Sequence, residues 1–296
     1  MAKRIFLTGG TGFIGRNFQD LLGDVYDIVA PSRSELDLSD SCAVEKFIQS
    51  NNFDAVVHCA HIKSDRKDPG PPNLVELNLR LFFNLFRCQK YFEKMICFGT
   101  GAEYDKQNCS PNTAEDDFDR SVPKDGYGFY KYLCSKYIEN SDNVLCLRLF
   151  GCYGKYEDYE LRFISNAICK NIFGLPITIT NKNSVFSYLF VNDLINLIAN
   201  FIENTPKYRV YNATPSTRVD LLTIARTIIK ISGNDTGVVL KKSGMGNEYS
   251  GSNKRLMSEF PDFGFTPIDV GISKLYAWYQ SNQHLIDKNK LIADRY

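Results

Sequence analysis

Short apolar runs alternate with longer stretches of helical character through the first half of the chain. The short runs predict strands at 5–7, 27–30, 55–58, 95–98 and 144–147. The longer stretches between them predict helices over 39–51, 73–92 and 126–140. Strands that alternate with helices form right-handed βαβ units, so this pattern predicts an α/β fold with a doubly wound parallel sheet.

The alternation becomes irregular after about residue 170. Predicted strands at 177–179, 208–211 and 238–240 mix there with predicted helices over 191–203, 219–231 and 268–281. This second pattern indicates a smaller, mixed α/β lobe. Glycines and polar residues at 243–252 predict a flexible loop that acts as a lid.

A glycine-rich turn connects the first predicted strand to a helical pattern. The segment from Ile5 to Gly15 reads I-F-L-T-G-G-T-G-F-I-G. Such a turn lets the backbone approach a pyrophosphate closely, and the N–H groups at the start of the helix then face the anion. We therefore predict a dinucleotide-binding domain over 1–171, to which about 186–213 return, and a substrate-binding lobe over 172–296. The candidate cofactor contacts in the turn are Gly9, Thr11, Gly12, Phe13, Ile14 and Gly15.

Composition and charge exclude several classes of protein. The chain has 296 residues, a net charge of +1 and 44% hydrophobic residues. This balance offers no basic surface for nucleic acid, and no apolar run is long enough to span a membrane. Nine cysteines without a C-x-x-C pair and only three histidines predict free thiols and no metal site. The first strand follows Met1 at once and leaves no room for a signal peptide, so we expect a cytoplasmic protein.

A tyrosine and a lysine stand one helical turn apart in the helix predicted over 126–140. Tyr127 and Lys131 share a helix face, and a nearby ammonium group favours the phenolate form, which suits proton transfer to or from an alcohol or ketone. Tyr132 and Lys136 have the same spacing. Five residues rotate a helix by roughly 140°, so at most one of the two pairs is catalytic.

The chain resembles the extended short-chain dehydrogenase/reductase family, and within it the branch that acts on nucleotide sugars. Thr8 to Gly15 is similar to the family's T-G-G-x-G-F-I-G, and Tyr127 to Lys131 to its Y-G-x-S-K, with Tyr130 in place of the serine. The resemblance implies a Rossmann-type sheet and favours Tyr127 and Lys131 as catalytic residues. It also implies a third catalytic residue, Thr100, whose hydroxyl group would bind the substrate oxygen.

The resemblance implies further cofactor contacts. They are Ser32, Arg33, Asp37, Leu38, Cys59, Ala60, His61, Asn78, Lys131 and Phe150. An NAD site normally offers a carboxylate after the second strand, whereas this chain offers Arg33, which favours the 2′-phosphate of NADP(H). A surface role for Arg33 and the use of NAD(H) remain open.

The reaction implied is reduction of the 4-keto group of a nucleotide sugar, of the 6-deoxy kind, with Tyr127 as general acid. The stretch 32–38 resembles that of two reductive enzyme groups, the GDP-fucose synthases and the dTDP-4-dehydrorhamnose reductases. Proton exchange at other ring carbons is not expected, because Ala102 replaces the required cysteine and 154–158 lacks a histidine. Two alternatives stay open: a 4-epimerase with tightly bound NAD, and a non-catalytic NADP-binding sensor or scaffold.

The substrate side departs from the family pattern. Phe186 stands where many members have an arginine for the diphosphate, and Gly151 stands where they have an asparagine. The candidate substrate contacts are Thr100, Glu103, Tyr127, Gly151, Arg162, Phe186, Arg218 and Arg255. The expected partners are a nucleotide-sugar substrate and a second copy of the chain, paired through apolar faces of the helices predicted over 73–92 and 126–140.

Overall fold

A computed structural model describes residues 2–63, 68–106 and 109–293 of the chain. Its centre is a six-stranded parallel sheet with the order β10-β5-β4-β3-β1-β2. The strands are β1 (Arg4–Thr8), β2 (Asp27–Val29), β3 (Ala55–His58), β4 (Lys94–Thr100), β5 (Val144–Leu149) and β10 (Val210–Asn212). This sheet confirms the predicted α/β fold.

Helices cover both faces of the sheet because successive strand residues point to opposite sides. On one face, Ile5 and Leu7 pack with α1 (Phe13–Leu22) and α6 (Val191–Glu203). On the other face, Phe6 packs with α2 (Ser41–Asn51), α3 (Leu74–Phe86) and α4 (Gly126–Ile138). The carboxyl ends of the strands therefore form one edge between two helical layers, where ligands bind in such sheets.

A second core lies beside this sheet. It packs α5 (Phe163–Ile172), α7 (Leu221–Ser232) and α9 (Ile268–Ser281) around buried side chains such as Ile168 and Ile224. The smaller strands and helices are β6 (Cys152–Tyr153), β7 (Ile177–Ile179), β8 (Asn183–Phe186), β9 (Leu189–Phe190), β11 (Val219–Asp220), β12 (Val238–Leu240), α8 (Lys254–Glu259) and α10 (Lys288–Ile292). Helix α5 lies before the boundary predicted at residue 171, yet its buried side chains belong to this second core.

The lid predicted over 243–252 is wrong. Strand β13 (Met245–Tyr249) occupies this segment and pairs in parallel with β8, with an irregularity between Met245 and Glu248. Ser250, which follows it, is fully buried. The pairing links distant parts of the chain, so the polar local sequence gives no strand pattern there.

The predicted helix over 73–92 is shorter in the structure. α3 ends at Phe86, and a short 3-10 turn follows at Gln89–Tyr91. Among the described residues, no helix is long and apolar enough to cross a membrane.

Candidate active site

The glycine turn after β1 is packed tightly against the end of β3. Gly9 has a left-handed backbone with φ of 68°, and a Cβ there would lie 2.7 Å from the Ala60 nitrogen. A Cβ on Gly15 would lie 2.3 Å from the Gly9 oxygen. Helix α1 begins next to this turn, and no side chain caps its N-terminus. Its first N–H groups are therefore available to an anion, and the turn fits the pyrophosphate of a dinucleotide.

The segment after β2 holds an exposed guanidinium group. Ser32 is fixed by its N–H, which donates to a Glu35 carboxylate oxygen at 2.7 Å. Asp37 accepts from the N–H and the hydroxyl of Ser39, and these hydrogen bonds lower the pKa of Asp37. The oxygen of Leu38 accepts from the Asn84 amide at 2.9 Å. Arg33 is exposed, and its charge contributes to lowering the pKa of Asp37, so a guanidinium group is presented to a ligand at this segment.

The end of β3 is joined to β1 and α3 by hydrogen bonds. The Thr8 hydroxyl lies 2.8 Å from His58 Nδ1 and accepts from the Ala60 N–H at 3.2 Å. The Asn78 amide binds both the N–H and the oxygen of Ile62, at 2.8 and 3.2 Å. Cys59, Ala60 and His61 thus lie on a braced segment beside the glycine turn.

Lys131 brings a positive charge to this segment. Its ammonium group donates to the Phe98 oxygen at 2.5 Å, which ties α4 to β4. Burial, and then the charge of Lys131, lower the pKa of His58 to about 3 and that of His61 to about 4. The histidines are therefore neutral at pH 7. The ammonium group also interacts electrostatically with the side chains of Tyr130 and Tyr127 on the same helix.

The competing pair, Tyr132 and Lys136, lies elsewhere on α4. The Tyr132 hydroxyl donates to the Asp119 carboxylate, and the Lys136 ammonium donates to it at 2.9 Å. Both side chains are thus engaged at a surface carboxylate. Lys131, in contrast, lines a cavity together with His58, Ala60 and His61.

Thr100 ends β4 and is 7% exposed. Its hydroxyl oxygen accepts from the Ala102 N–H at 3.3 Å and lies 3.3 Å from the hydroxyl of Tyr249. Tyr249 comes from β13 and lies close enough to Tyr127 for an electrostatic interaction. Tyr249 did not stand out in the sequence, because no local pattern places β13 against the end of β4.

Glu103 is fully buried and is hydrogen-bonded to the backbone of Thr100. One carboxylate oxygen accepts from the Thr100 N–H at 2.8 Å, and the other accepts from Ser135 at 2.6 Å and from Arg148 at 2.7 Å. Arg148 is also fully buried and binds the Tyr104 hydroxyl at 3.0 Å. The structure thus places Glu103 in a buried ion pair that supports Thr100. Removing one partner of such a pair costs about 3–5 kcal/mol of stability.

The three candidate arginines of the substrate side have different surroundings. Arg162 precedes α5, and its charge contributes to lowering the pKa of His61, so it lies near the cleft. Arg218 forms an ion pair with Glu248 at 3.1 Å. Arg255 forms one with Asp116 at 2.6 Å and donates to the Val210 oxygen at 3.1 Å, at the edge of the sheet. The structure brings Arg162 alone of these three toward His61.

A cluster of aromatic rings packs beside Gly151. A Cβ on Gly151 would lie 3.0 Å from the ring of Tyr188, so this ring fills the space beside Gly151. The Phe186 ring lies 5.4 Å from that of Tyr188 and 6.2 Å from that of Tyr249. Phe150 is 5% exposed, with its ring 5.3 Å from Tyr249. We call Phe150, Phe186, Tyr188 and Tyr249 the aromatic wall.

Comparisons with known proteins agree with this architecture. Residues 5–214 match the sequence model of the NAD dependent epimerase/dehydratase family. A GDP-L-colitose synthase from Yersinia pseudotuberculosis is 22% identical over 309 aligned residues, covering 95% of this chain and 99% of that protein.

Two solved structures share the fold. The GDP-mannoheptose C4 reductase of Campylobacter jejuni, solved with NADP bound, has a TM-score of 0.82 and 17% identity, over 94% of this chain and 98% of that one. The UDP-glucose 4-epimerase of Thermotoga maritima has a TM-score of 0.79 and 20% identity, over 95% of this chain and 99% of that one.

Proposed function

We propose, from the premise that the chain belongs to the NAD dependent epimerase/dehydratase family, that it reduces the 4-keto group of a nucleotide sugar with NADPH. The observation that carries this proposal is the position of Lys131. Its side chain lines one cavity with His58, Ala60 and His61, and on α4 it stands one helical turn after Tyr127. The Lys131 ammonium group thereby links the place where a nicotinamide would bind with Tyr127, the proposed proton donor.

Each catalytic candidate has a separate role. Bound NADPH would supply the hydride. Tyr127 gives its proton to the carbonyl oxygen as negative charge develops there, and the Lys131 ammonium stabilises the phenolate that remains. Thr100 donates a hydrogen bond to the same oxygen.

Two observations support NADP(H) as the cofactor. Arg33 follows β2 with an exposed guanidinium group, and a guanidinium group binds a 2′-phosphate well. The reductase from Campylobacter jejuni has NADP bound. NAD(H) is the alternative.

A nucleotide-sugar substrate is supported by the names of the relatives, which include a GDP-L-colitose synthase, a GDP-mannoheptose C4 reductase and a UDP-glucose 4-epimerase. We propose that Arg162 binds the substrate near His61, and that Phe186 and Gly151 leave the substrate side apolar. The aromatic wall suits a 6-deoxy sugar, which presents a methyl group in place of a hydroxyl group.

Substitution of the two tyrosine–lysine pairs tests the reaction. Tyr127→Phe removes the proton donor, and we expect the rate of NADPH oxidation with 4-keto sugar nucleotides to fall at least 100-fold, as is typical of general acid catalysis. Tyr132→Phe is the matched control on the same helix and retains the rate. Equal activity of the wild type and Tyr127→Phe would falsify the proposed mechanism.

Assays of the wild-type protein with the same sugar nucleotides distinguish the reductase from the two alternative functions. Purified protein that carries stoichiometric NAD and interconverts 4-epimers is an epimerase. Protein that is protected from thermal unfolding by NADPH, yet reduces no keto sugar, is a sensor or scaffold.

We also propose that the chain forms a homodimer through α3 and α4. The rings of Phe83 and Tyr137 meet edge to face across these helices, with their centroids 4.7 Å apart, and Tyr137 is 54% exposed. Nine free thiols are typical of a reducing compartment, which supports the cytoplasm as the place of action.

A further inference from the structure

The hydroxyl groups of Tyr249 and Thr100 meet, although the two residues belong to different sheets. Tyr249 ends β13, Thr100 ends β4, and their oxygens are 3.3 Å apart. We propose that Tyr249 is a positioning residue that donates its hydrogen to Thr100 and so leaves the hydrogen of Thr100 for the carbonyl oxygen of the substrate. This inference rests on the proposed function, since it concerns the direction in which the catalytic hydroxyl group of Thr100 donates its hydrogen.

The surroundings of Tyr249 decide which oxygen donates. The rings of Phe150 and Phe186 pack at 5.3 and 6.2 Å, and burial raises the pKa of Tyr249, so its phenol keeps its proton. Thr100 offers the acceptor for that proton within the described part of the chain. If Thr100 were the donor instead, the Tyr249 hydrogen would lose this acceptor in a half-buried position beside aromatic rings, which costs free energy.

The two lone pairs of Thr100 are then both used. A hydroxyl oxygen accepts two hydrogen bonds and donates one. The Ala102 N–H takes one lone pair at 3.3 Å and Tyr249 takes the other, so the remaining hydrogen of Thr100 is directed to a ligand. A donor fixed in advance is worth more than one that must reorient as charge develops on the substrate oxygen.

The arrangement also connects the three-stranded sheet β11-β8-β13 to the catalytic hydroxyl group of Thr100. Tyr249 reaches Thr100 because β13 pairs with β8, outside the six-stranded sheet. Thr100 is held from below by Glu103, which accepts its N–H. Glu103 therefore fixes the backbone of Thr100, and Tyr249 fixes the direction of its hydroxyl group.

Two double-mutant cycles on the whole chain test the inference. Thr100→Val and Tyr249→Phe each remove one hydroxyl group, and they are made singly and together. The first cycle measures Tm without ligand. We expect each single variant to lower Tm, and the double variant to lower it no further than the larger single effect.

The second cycle measures kcat with NADPH and a keto sugar nucleotide. We expect Tyr249→Phe to lower kcat about tenfold, with KM and the NADPH affinity within about twofold of wild type. In the Thr100→Val background it has no further effect on kcat. Tyr208→Phe, at a half-exposed tyrosine by the sheet edge, is the control and changes neither Tm nor kcat.

Additive effects in either cycle, or a full kcat in Tyr249→Phe, overturn the inference. A wild-type protein that binds NADPH but reduces no keto sugar nucleotide contradicts the proposed function instead. The Tm cycle still decides in that case whether Tyr249 and Thr100 are coupled.

Discussion

Glu157 is a buried carboxylic acid at the entrance to α5, and it is hydrogen-bonded by the Ser165 hydroxyl at 2.6 Å. Burial raises the pKa of Glu157 to about 8 from an ordinary value of 4.5, against the opposing effects of Ser165 and the Arg162 charge. Between pH 4.5 and 8 the folded chain therefore binds one more proton than the unfolded chain. By linkage, this group stabilises the fold fully below pH 4.5, and its contribution is lost as the pH rises to 8.

Glu157→Gln removes this titration and keeps an acceptor for Ser165. We expect the variant to gain stability relative to wild type as the pH rises from 5 to 8, measured as the free energy of unfolding in urea. Glu93→Gln, at an exposed carboxylate, is the control with no such trend. A constant difference between Glu157→Gln and wild type across this range would show that Glu157 is ionised in the folded chain.

A single guanidinium group, that of Arg33, is expected to select the cofactor. Arg33→Ala should weaken NADPH binding about tenfold and leave NADH binding within twofold, since one charge-assisted contact is worth about 1.4 kcal/mol. Titration calorimetry with both nucleotides measures the difference. Equal weakening of the two would mean that Arg33 contacts a part that both cofactors share.

Placement within one local motif could be predicted from the sequence, and contacts between distant parts of the chain could not. Tyr127 and Lys131 stand one helical turn apart, so the spacing alone suggests a common face. Tyr249 lies almost 150 positions after Thr100 and reaches it through a pairing that no local pattern encodes. Arg218 and Arg255 carry the right charge, but their ion pairs are properties of the folded chain.

At the scale of elements, the glycine turn between β1 and α1 is the most constrained connection described above. Gly9 and Gly233 have the same backbone φ of 68°, but a Cβ would meet the chain beside Ala60 at Gly9 and open space at Gly233. We expect Gly233→Ala to lower the free energy of unfolding by about 1 kcal/mol, the cost of a left-handed alanine. Gly9→Ala should lower it by about 3 kcal/mol, because steric overlap adds to the same backbone cost.

The matched pair separates backbone strain from crowding. Urea unfolding measures both variants, and thermal protection by NADPH shows whether the turn still binds the cofactor. Protection should vanish in Gly9→Ala and persist in Gly233→Ala. Equal losses of stability in the two variants would mean that the turn relaxes away from Ala60.

The strands and helices of the first half were predictable because their patterns are local. Helix α4, for example, begins at Gly126 as predicted, with the Asp125 carboxylate capping it. Strand β13 was predicted as a loop, because Gly246, Asn247 and Glu248 favour turns and its stability comes from pairing with β8.

At the scale of the whole molecule, the exposed ring of Tyr137 on α4 and the half-buried ring of Phe83 on α3 are expected to face a second copy. Tyr137→Lys places a charge in that surface, and we expect it to convert a dimer into a monomer in sedimentation velocity, because an unpaired buried charge is costly. Val25→Lys is the control, since Val25 is equally exposed, at 53%, on another surface. A wild-type monomer would contradict the proposed interface.

Strand β10 is translated long after β5, the strand with which it pairs. β10 completes the sheet beside β5, and α6 packs with α1 in the first core. Both β10 and α6 are translated after α5, whose side chains belong to the second core. At ordinary elongation rates the edge of β5 waits on the order of several seconds for its neighbour. An unpaired edge of a hydrophobic strand invites association with other chains. We therefore expect the nascent polypeptide to be most prone to association with other chains between the emergence of residue 149 and that of residue 212.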